Sequence, residues 1–304
     1  MAQGEGAGPR RGSAESGEGA QGLTKFSGRT LAEAAEAVLL SPEPGAKVAL
    51  THAAAAAWRC GNLREIGRGA PPARPARPER PLLLPPREMP KRRAGGERAS
   101  RVALLHALAH IELNAIDLAW DLVVRFAQED LPRAFYDDWL GVADEEATHH
   151  GLLAARLAEL GAAYGDLPAH DGLWEAASAT AHDLLARLAV VPLVLEARGL
   201  DVTPEMIQRL ERSGDEASAV VLRRIYRDEI THVAAGRRWF EWACSRRGRS
   251  AAETYQEMVR RHFRGVLKPP FNAAARGAAG LDAAFYEPLA GAACDAHAAR
   301  PRDA

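Results

Sequence analysis

Two glutamates in this chain are each followed three residues later by a histidine: Glu146 with His149, and Glu229 with His232. On a helix such a pair lies ~60° apart on one face, so a carboxylate and an imidazole can address the same point. Oxygen and nitrogen donors presented together suit a divalent metal ion, and without cysteine among them they suit iron or manganese better than structural zinc. The neighbours at helical spacing are apolar: Trp139, Val142, Leu153 and Leu157 around the first pair, and Leu222, Ile225, Gly236 and Trp239 around the second. Each pair therefore interrupts a core-facing stripe, where an unpaired carboxylate costs several kcal/mol. Something cationic must compensate them.

The same test singles out one glutamate on each of two further helical stretches. Glu112 sits among Leu105, Leu108, Ala109, Ile116 and Ala119, and Glu196 follows Leu185, Leu188, Ala189 and Leu193. Glu112 precedes Glu146 by 34 residues and Glu196 precedes Glu229 by 33, which makes an approximate internal repeat of two hairpins. Four carboxylates and two imidazoles drawn from four antiparallel helices make up the dinuclear metal site of ferritin-like bundles. The expected ligands are Glu112, Glu146, His149, Glu196, Glu229 and His232, and the expected cofactor is two Fe, with Mn or a mixed Fe/Mn pair as alternatives.

Each Glu of a Glu-x-x-His pair is itself preceded by an acid, Glu145 and Asp228. A metal-bound imidazole usually donates its remaining N–H to a carboxylate. An acid beside one helix's glutamate can reach a histidine on the facing helix, so Asp228 is assigned to His149 and Glu145 to His232. The bland reading of both acids is a solvated charge. Tyr226, one turn before Glu229, is either a redox-active phenol next to the metals or a core tyrosine. His150 is either an alternative ligand or a rim residue, the rim being the expectation. His106 and His110 share a face well away from Glu112 and are expected to hydrogen-bond the proline-rich segment.

These residues must be positioned by helices, and from about 99 to 263 the periodicity is helical with almost no β-branched alternation. The pattern predicts helices over about 101–128, from Asp130–Pro132 to Gly161, over 173–198 with Pro192 inside, from Thr203–Pro204 to Gly214, and over 215–247. A last one is opened by a Ser250/Glu253 capping box. If the second and third long helices run parallel, the connection must retrace ~51 Å of helix at about 1.5 Å per residue. A linker over 161–172 spans at most ~43 Å. Part of the third stretch, about 173–181, therefore belongs to the crossover.

With 39 Lys+Arg against 40 Asp+Glu in 304 residues, the net charge of -1 gives no global field for nucleic acid or an anionic membrane. Three widely spaced cysteines supply neither a disulfide framework nor a CxxC zinc module, which fits a reducing compartment. No continuous run of ~18 apolar residues and no secretory apolar core stand in the sequence, so the expectation is a cytoplasmic protein without a membrane span. The segments read as a disordered tail (1–26), an N-terminal helical appendage (27–67), a proline- and arginine-rich strap (68–99), the helical bundle (100–265) and a C-terminal tail (266–304) that either wraps or is loose. Proline at the strap's density excludes a helix. It is either laid over the helices with Leu82, Leu83 and Leu84 as anchors, or a basic arm for RNA or phosphate, which the missing aromatics do not support.

The stretches HALAHIELNAIDLAWD (106–121), ADEEATHH (143–150), LEARGLDVTP (195–204) and DEITHVAAGRRWF (228–240), with the lead-in RPARPERPLLLPPREMPKRR (74–93), resemble the ferritin-like domain-of-unknown-function family 455. The resemblance covers roughly residues 30–265. It implies an all-α, ferritin-like four-helix bundle with a dinuclear metal site at the six residues named, and it implies no substrate. Three classes of function then stand side by side. One is a di-iron oxidoreductase or oxygenase that uses O₂ to oxidise an organic substrate, RNA-linked hydroxylation being its minor variant. The others are metal handling without an organic substrate, and a structural helical bundle with the metal as a staple. An enzyme of the first class has a small-molecule substrate and an electron donor as partners, which no motif identifies, nor does any specify the oligomeric state.

Overall fold

The computed structural model describes residues 26, 28–89 and 98–291. The expected tail up to residue 25, the basic run Lys91, Arg92 and Arg93 of the strap, and the chain after 291 lie outside the described residues. Among those described there is no strand, only two isolated β-bridges, and the protein is all-α.

The helix Arg98–Arg125, called α3 because two shorter helices precede it, is the spine of the fold. Every residue from Glu112 to Val124 is buried, as expected of a helix that is apolar nearly all round. Its length and mean hydropathy would suffice to cross a membrane, but 72% of its most apolar window is buried inside the protein. The acids Glu112, Asp117 and Asp121 interrupt the helix, which is why no continuous apolar run is visible. Helix α4 (Arg133–Glu159) returns antiparallel to α3. The guanidinium of Arg98 at the start of α3 donates to the carbonyl of Leu160 at the end of α4, at 2.6 Å.

The two preceding helices, α1 (Leu31–Leu39) and α2 (Pro44–Arg59), share the main core. Thr30 and Glu33 close the start of α1 in a reciprocal capping box. Buried Lys47 of α2 places its ammonium 2.6 Å from Asp117 and 3.0 Å from the carbonyl of Val38. Trp58 donates its indole N–H to Asp137 of α4 at 2.7 Å.

The crossover carries its own helix, α5 (Gly172–Ala179), and the third long helix begins only at α6 (Leu184–Val190), where the Asp183 side chain accepts from the Leu185 N–H. The crossover length argument is thus met, and the single predicted helix over 173–198 is divided. Downstream, α6 passes through a π-helical segment, Val191–Glu196, straight into α7 (Ala197–Arg212), with no break at Thr203–Pro204. Pro204 removes the N–H that would bond the Leu200 carbonyl. The side chain of Asn272, far along the chain, donates to that carbonyl instead at 3.1 Å. A long-range partner made the proline tolerable.

Gly214, at φ +74, turns the chain into α8 (Glu216–Arg246). Arg156 near the end of α4 pairs with Asp215 and Ser218 at the start of α8, at 2.8 and 2.9 Å, while Arg238 near the end of α8 pairs with Asp138 near the start of α4. Helices α4 and α8 are therefore antiparallel neighbours. Beyond them, α9 (Ala251–His262) starts at Ser250 without the side-chain bond of the expected capping box. The chain then wraps back through α10 (Ala273–Ala278) and α11 (Ala283–Tyr286), and Leu281, Phe285 and Leu289 join the core.

The strap is ordered over 68–89, by contacts other than those expected. Leu82 and Leu83 are 63% and 38% exposed, so their side chains are not the anchors. The backbone is: Leu84 donates to the Ala169 carbonyl at 2.8 Å, and Ala169 donates to Leu82 at 3.0 Å. Arg77 adds contacts of 2.5 Å to Asn114 and 2.6 Å to Asp117. His106 and His110 also depart from expectation, since they bond the crossover at Gly165, Tyr164 and His170 rather than the strap.

Gly236 lets α8 approach the π-helical segment, because a Cβ there would lie 2.4 Å from the Pro192 ring. Gly236→Ala should destabilise the fold by roughly 1–3 kcal/mol of overpacking, less the ~1 kcal/mol that alanine gains in a helix. Gly151→Ala on exposed α4, where a Cβ meets nothing within 4 Å, should stabilise by up to ~1 kcal/mol. Chemical denaturation of the two variants checks the contrast, and equal stabilisation by both would remove the packing role of Gly236.

Candidate metal centre

The site is assembled from four helical segments, each contributing at mid-length: Glu112 from α3, Glu146 and His149 from α4, Glu196 from the end of the π segment, and Glu229 and His232 from α8. One oxygen or nitrogen from each of Glu112, Glu146, His149 and Glu229 lies within 4.8 Å of the others. His149 Nδ1 stands 3.3 Å from Glu112 and 3.4 Å from Glu146. His232 Nδ1 stands 3.0 Å from Glu146 and 3.7 Å from Glu229. The two imidazole centroids are 5.7 Å apart. Glu196 faces the same space, lining one cavity together with Glu112, Glu146 and Glu229.

Both histidines present Nδ1 to this centre and Nε2 away from it. The outer nitrogen of His149 meets Asp228 at 3.0 Å, and that of His232 meets Glu145 at 2.7 Å. These are the crossed partners read from the sequence. They set the tautomer of the neutral ring: with Nε2–H donating outward, Nδ1 is the nitrogen whose lone pair faces the centre once its proton is lost. Asp228 is itself held by Arg224, one turn earlier on α8. The sequence reading passed over Arg224, although its i,i+4 spacing to Asp228 was a usable signal.

Polar atoms that a fold of this kind should satisfy are left over here. Glu196 Oε2 and Glu229 Oε2 are buried without a hydrogen-bond partner, and Glu146 Oε1 and His232 Nδ1, 3.0 Å apart, have only each other; an unpaired buried acceptor is costly. Their convergence at one place is what a cation would satisfy, and the all-oxygen-and-nitrogen donor set fits iron or manganese.

In the metal-free protein, protons take up part of the role. Burial pushes the Glu112 carboxyl well above its ordinary range, and the negative Glu146 pushes it further. Burial and the charge of Glu229 do the same to Glu196, and burial and Glu146 raise Glu229. Glu146 goes the other way: burial opposes its ionisation, but His232 and His149 outweigh burial and keep it charged. Burial would depress His149, but its bonds to Glu112 and Glu146 raise it to about 11. His232 is likewise held protonated, with Glu146 and Glu145 overcoming burial.

The remaining candidates fall outside the centre. The Tyr226 hydroxyl accepts from Asn272 at 2.9 Å, on the segment after α9. His150 is on neither the centre nor an exposed rim: it is buried, with Nδ1 2.9 Å from the Ala109 carbonyl. Residues that the sequence reading missed line a cavity of about 180 Å³ opening on the carboxylates, among them Ile111, Leu195, Gly199, Val202 and Met206. The stripe that Gly199, Val202 and Met206 form on α7 was hidden by the break predicted at Pro204.

Residues 40–287 match the family described as Protein of unknown function (DUF455). An uncharacterized protein of Haemophilus influenzae is 46% identical over 208 residues, which cover 67% of this chain and 72% of that protein. No solved structure matches.

Because the raised groups must lose their protons before they can bind a cation, metal uptake should release protons and tighten as pH rises. Titration with Zn²⁺ or anaerobic Fe²⁺ in weak buffer measures the release, and pH-independent uptake without it would contradict the protonated cluster. Asp228→Asn and Glu145→Gln, which remove the outward acceptors' charge, should each weaken metal binding by about 10–100-fold. Unchanged affinity in both would show the outer carboxylates to be incidental.

Proposed function

The chain belongs to the DUF455 family, and from that premise we propose that it is a ferritin-like, dinuclear metal protein that uses O₂ to oxidise an organic substrate. Glu112, Glu146, His149, Glu196, Glu229 and His232 would hold the metals. When bound, a pair of iron ions, or manganese or one of each, supplies the electrons that reduce O₂ and an oxidised pair that takes electrons and hydrogen from the substrate.

The observation that carries the reading is the combination of orphaned carboxylate oxygens with a cavity beside them. Glu196 and Glu229 each have a buried oxygen without a partner, and both line the cavity. A metal held only as a structural staple needs all its positions filled and has no use for such a space. The cavity therefore favours the enzyme over the structural staple.

The protein's own residues then have separable duties. The carboxylates of Glu112 and Glu146, on adjacent antiparallel helices, and those of Glu196 and Glu229 on the second hairpin bring the charge that balances the cations. Asp228 and Glu145 fix the imidazoles from behind. Apolar side chains from α3 and α7 exclude water from the carboxylates' open side, which strengthens electrostatic interactions there. The basic strap enters the reading as a support, since the Arg74 and Arg77 side chains are engaged by Asp171, Asn114 and Asp117 within the chain itself.

Elemental analysis of the purified protein, paired with an optical spectrum before and after exposure of the reduced protein to O₂, tests this. The expected result is two metals per chain and an O₂-dependent absorption change. Glu146→Ala and Glu229→Ala should each abolish two-metal binding, and retention of both metals by both variants would overturn the ligand set.

A further inference from the structure

The cavity beside the carboxylates has a definite chemistry. Its volume is about 180 Å³, and its walls away from Glu112, Glu146, Glu196 and Glu229 are mainly aliphatic, with Arg198 and Thr203 as the other polar side chains. Leu108 and Ile111 come from α3, Val202 and Met206 from α7, and Leu222 and Ile225 from α8. Ile111 is 42% exposed and the Arg198 side chain as much, which puts both at the surface end, while the carboxylates are at the buried end. The space thus runs from the surface to the candidate metal centre.

Gly199 supplies a second, independent observation. It lies in the interior of the continuous helix formed by α6, the π segment and α7, where glycine costs ~1 kcal/mol relative to alanine. A Cβ at Gly199 would meet nothing within 4 Å, so no neighbour forbids a side chain there. Gly199 also lines the cavity. Glycine at this position keeps volume open without serving backbone geometry or close packing. The π segment acts in the same direction: one wide turn carries Val191, Leu195 and Glu196 to the cavity wall, as such turns often do at functional sites.

We infer that this cavity is the substrate pocket, and that it takes a small apolar group, a short alkyl or prenyl chain or a single aromatic ring of about seven carbon atoms, rather than a sugar, nucleotide or amino-acid moiety. The size limit follows from volume, since an apolar cavity of ~150 Å³ is known to accept benzene. The polarity limit follows from the lining. A polar group of this size would lose its hydration along the aliphatic wall and regain hydrogen bonds only at the carboxylates and Thr203, since the Arg198 guanidinium is already held by Asp201 and the Lys268 carbonyl. This inference rests on the proposed function for the chemistry that follows binding, but not for binding itself.

Binding can therefore be measured on the metal-free protein. Toluene is titrated into it and followed by calorimetry and by the methyl resonances of Ile111, Met206 and Ile225, with glycerol as the polar control. Toluene should bind at one site and shift those methyls, and glycerol should not. Gly199→Leu should fold, keep its metal stoichiometry and lose roughly tenfold or more in toluene affinity, because the new side chain fills the space. Val202→Phe fills the same cavity from the next turn and should behave alike, so the test survives misfolding of either variant. Absence of saturable toluene binding, or undiminished binding in whichever variant folds, would overturn the inference. Toluene binding in a protein that holds no metals would sink only the proposed function, and two metals without toluene binding only the pocket.

Discussion

Four carboxylates brought together in a water-free core cannot all stay ionised unless positive charge is placed among them. That constraint shapes the middle of this molecule. Glu112, Glu146, Glu196 and Glu229 meet there with only two imidazoles for company, and three of the four acids respond by being pushed toward the neutral form. Glu146, the one that both histidines reach, stays charged. The cluster is thus balanced by protons that a cation can displace, and the apolar stripes on either side hold it together while it waits.

The same accounting extends along α3. Below Glu112 on that helix, Asp117 and Asp121 are also fully buried, yet each is answered by arginine or lysine rather than by an open space. Asp117 receives Lys47 from α2 and Arg77 from the strap. Asp121 receives Arg125 from its own helix and Arg187 from α6. Removing one partner from such a buried pair is costly, so the N-terminal helices, the strap and the second hairpin are all tied to one spine by charge. Of the three acids on α3, only Glu112 lacks a permanent cation, and it is the one that faces the histidines.

Much of this was legible because it is written in spacing. A carboxylate and an imidazole three apart within an apolar stripe have few structural uses, and the preceding acids Glu145 and Asp228 fell where a facing histidine needs an acceptor. The helices of the first hairpin were visible from periodicity to within a few residues. What stayed hidden depends on distant chain segments. Pro204 reads as a helix breaker until Asn272 is seen to satisfy the Leu200 carbonyl. Ser250 and Glu253 have the right spacing for a cap that does not form, while the cap that does form, Thr30 with Glu33, went unread. Leu82 to Leu84 read as anchors because leucine is apolar, yet the strap is held by backbone pairing to Ala169, which side-chain pattern cannot report.

The π-helical segment shows how one local irregularity serves both charge and space. Pro192 cannot donate to the turn before it, and its ring crowds the preceding carbonyl. The helix widens at Val191–Glu196 instead of breaking. Tyr255 of α9 ties the segment to its neighbour by donating its hydroxyl to the Leu193 carbonyl at 3.1 Å. Gly236 then lets α8 close against the proline ring, which brings Glu229 and His232 alongside Glu196. A regular α-helix over the same residues would turn Glu196 by part of a residue's rotation relative to the side chains of α7. The widened turn lets one helix direct a carboxylate at the centre and, from Gly199 onward, an open aliphatic wall at the space beside it.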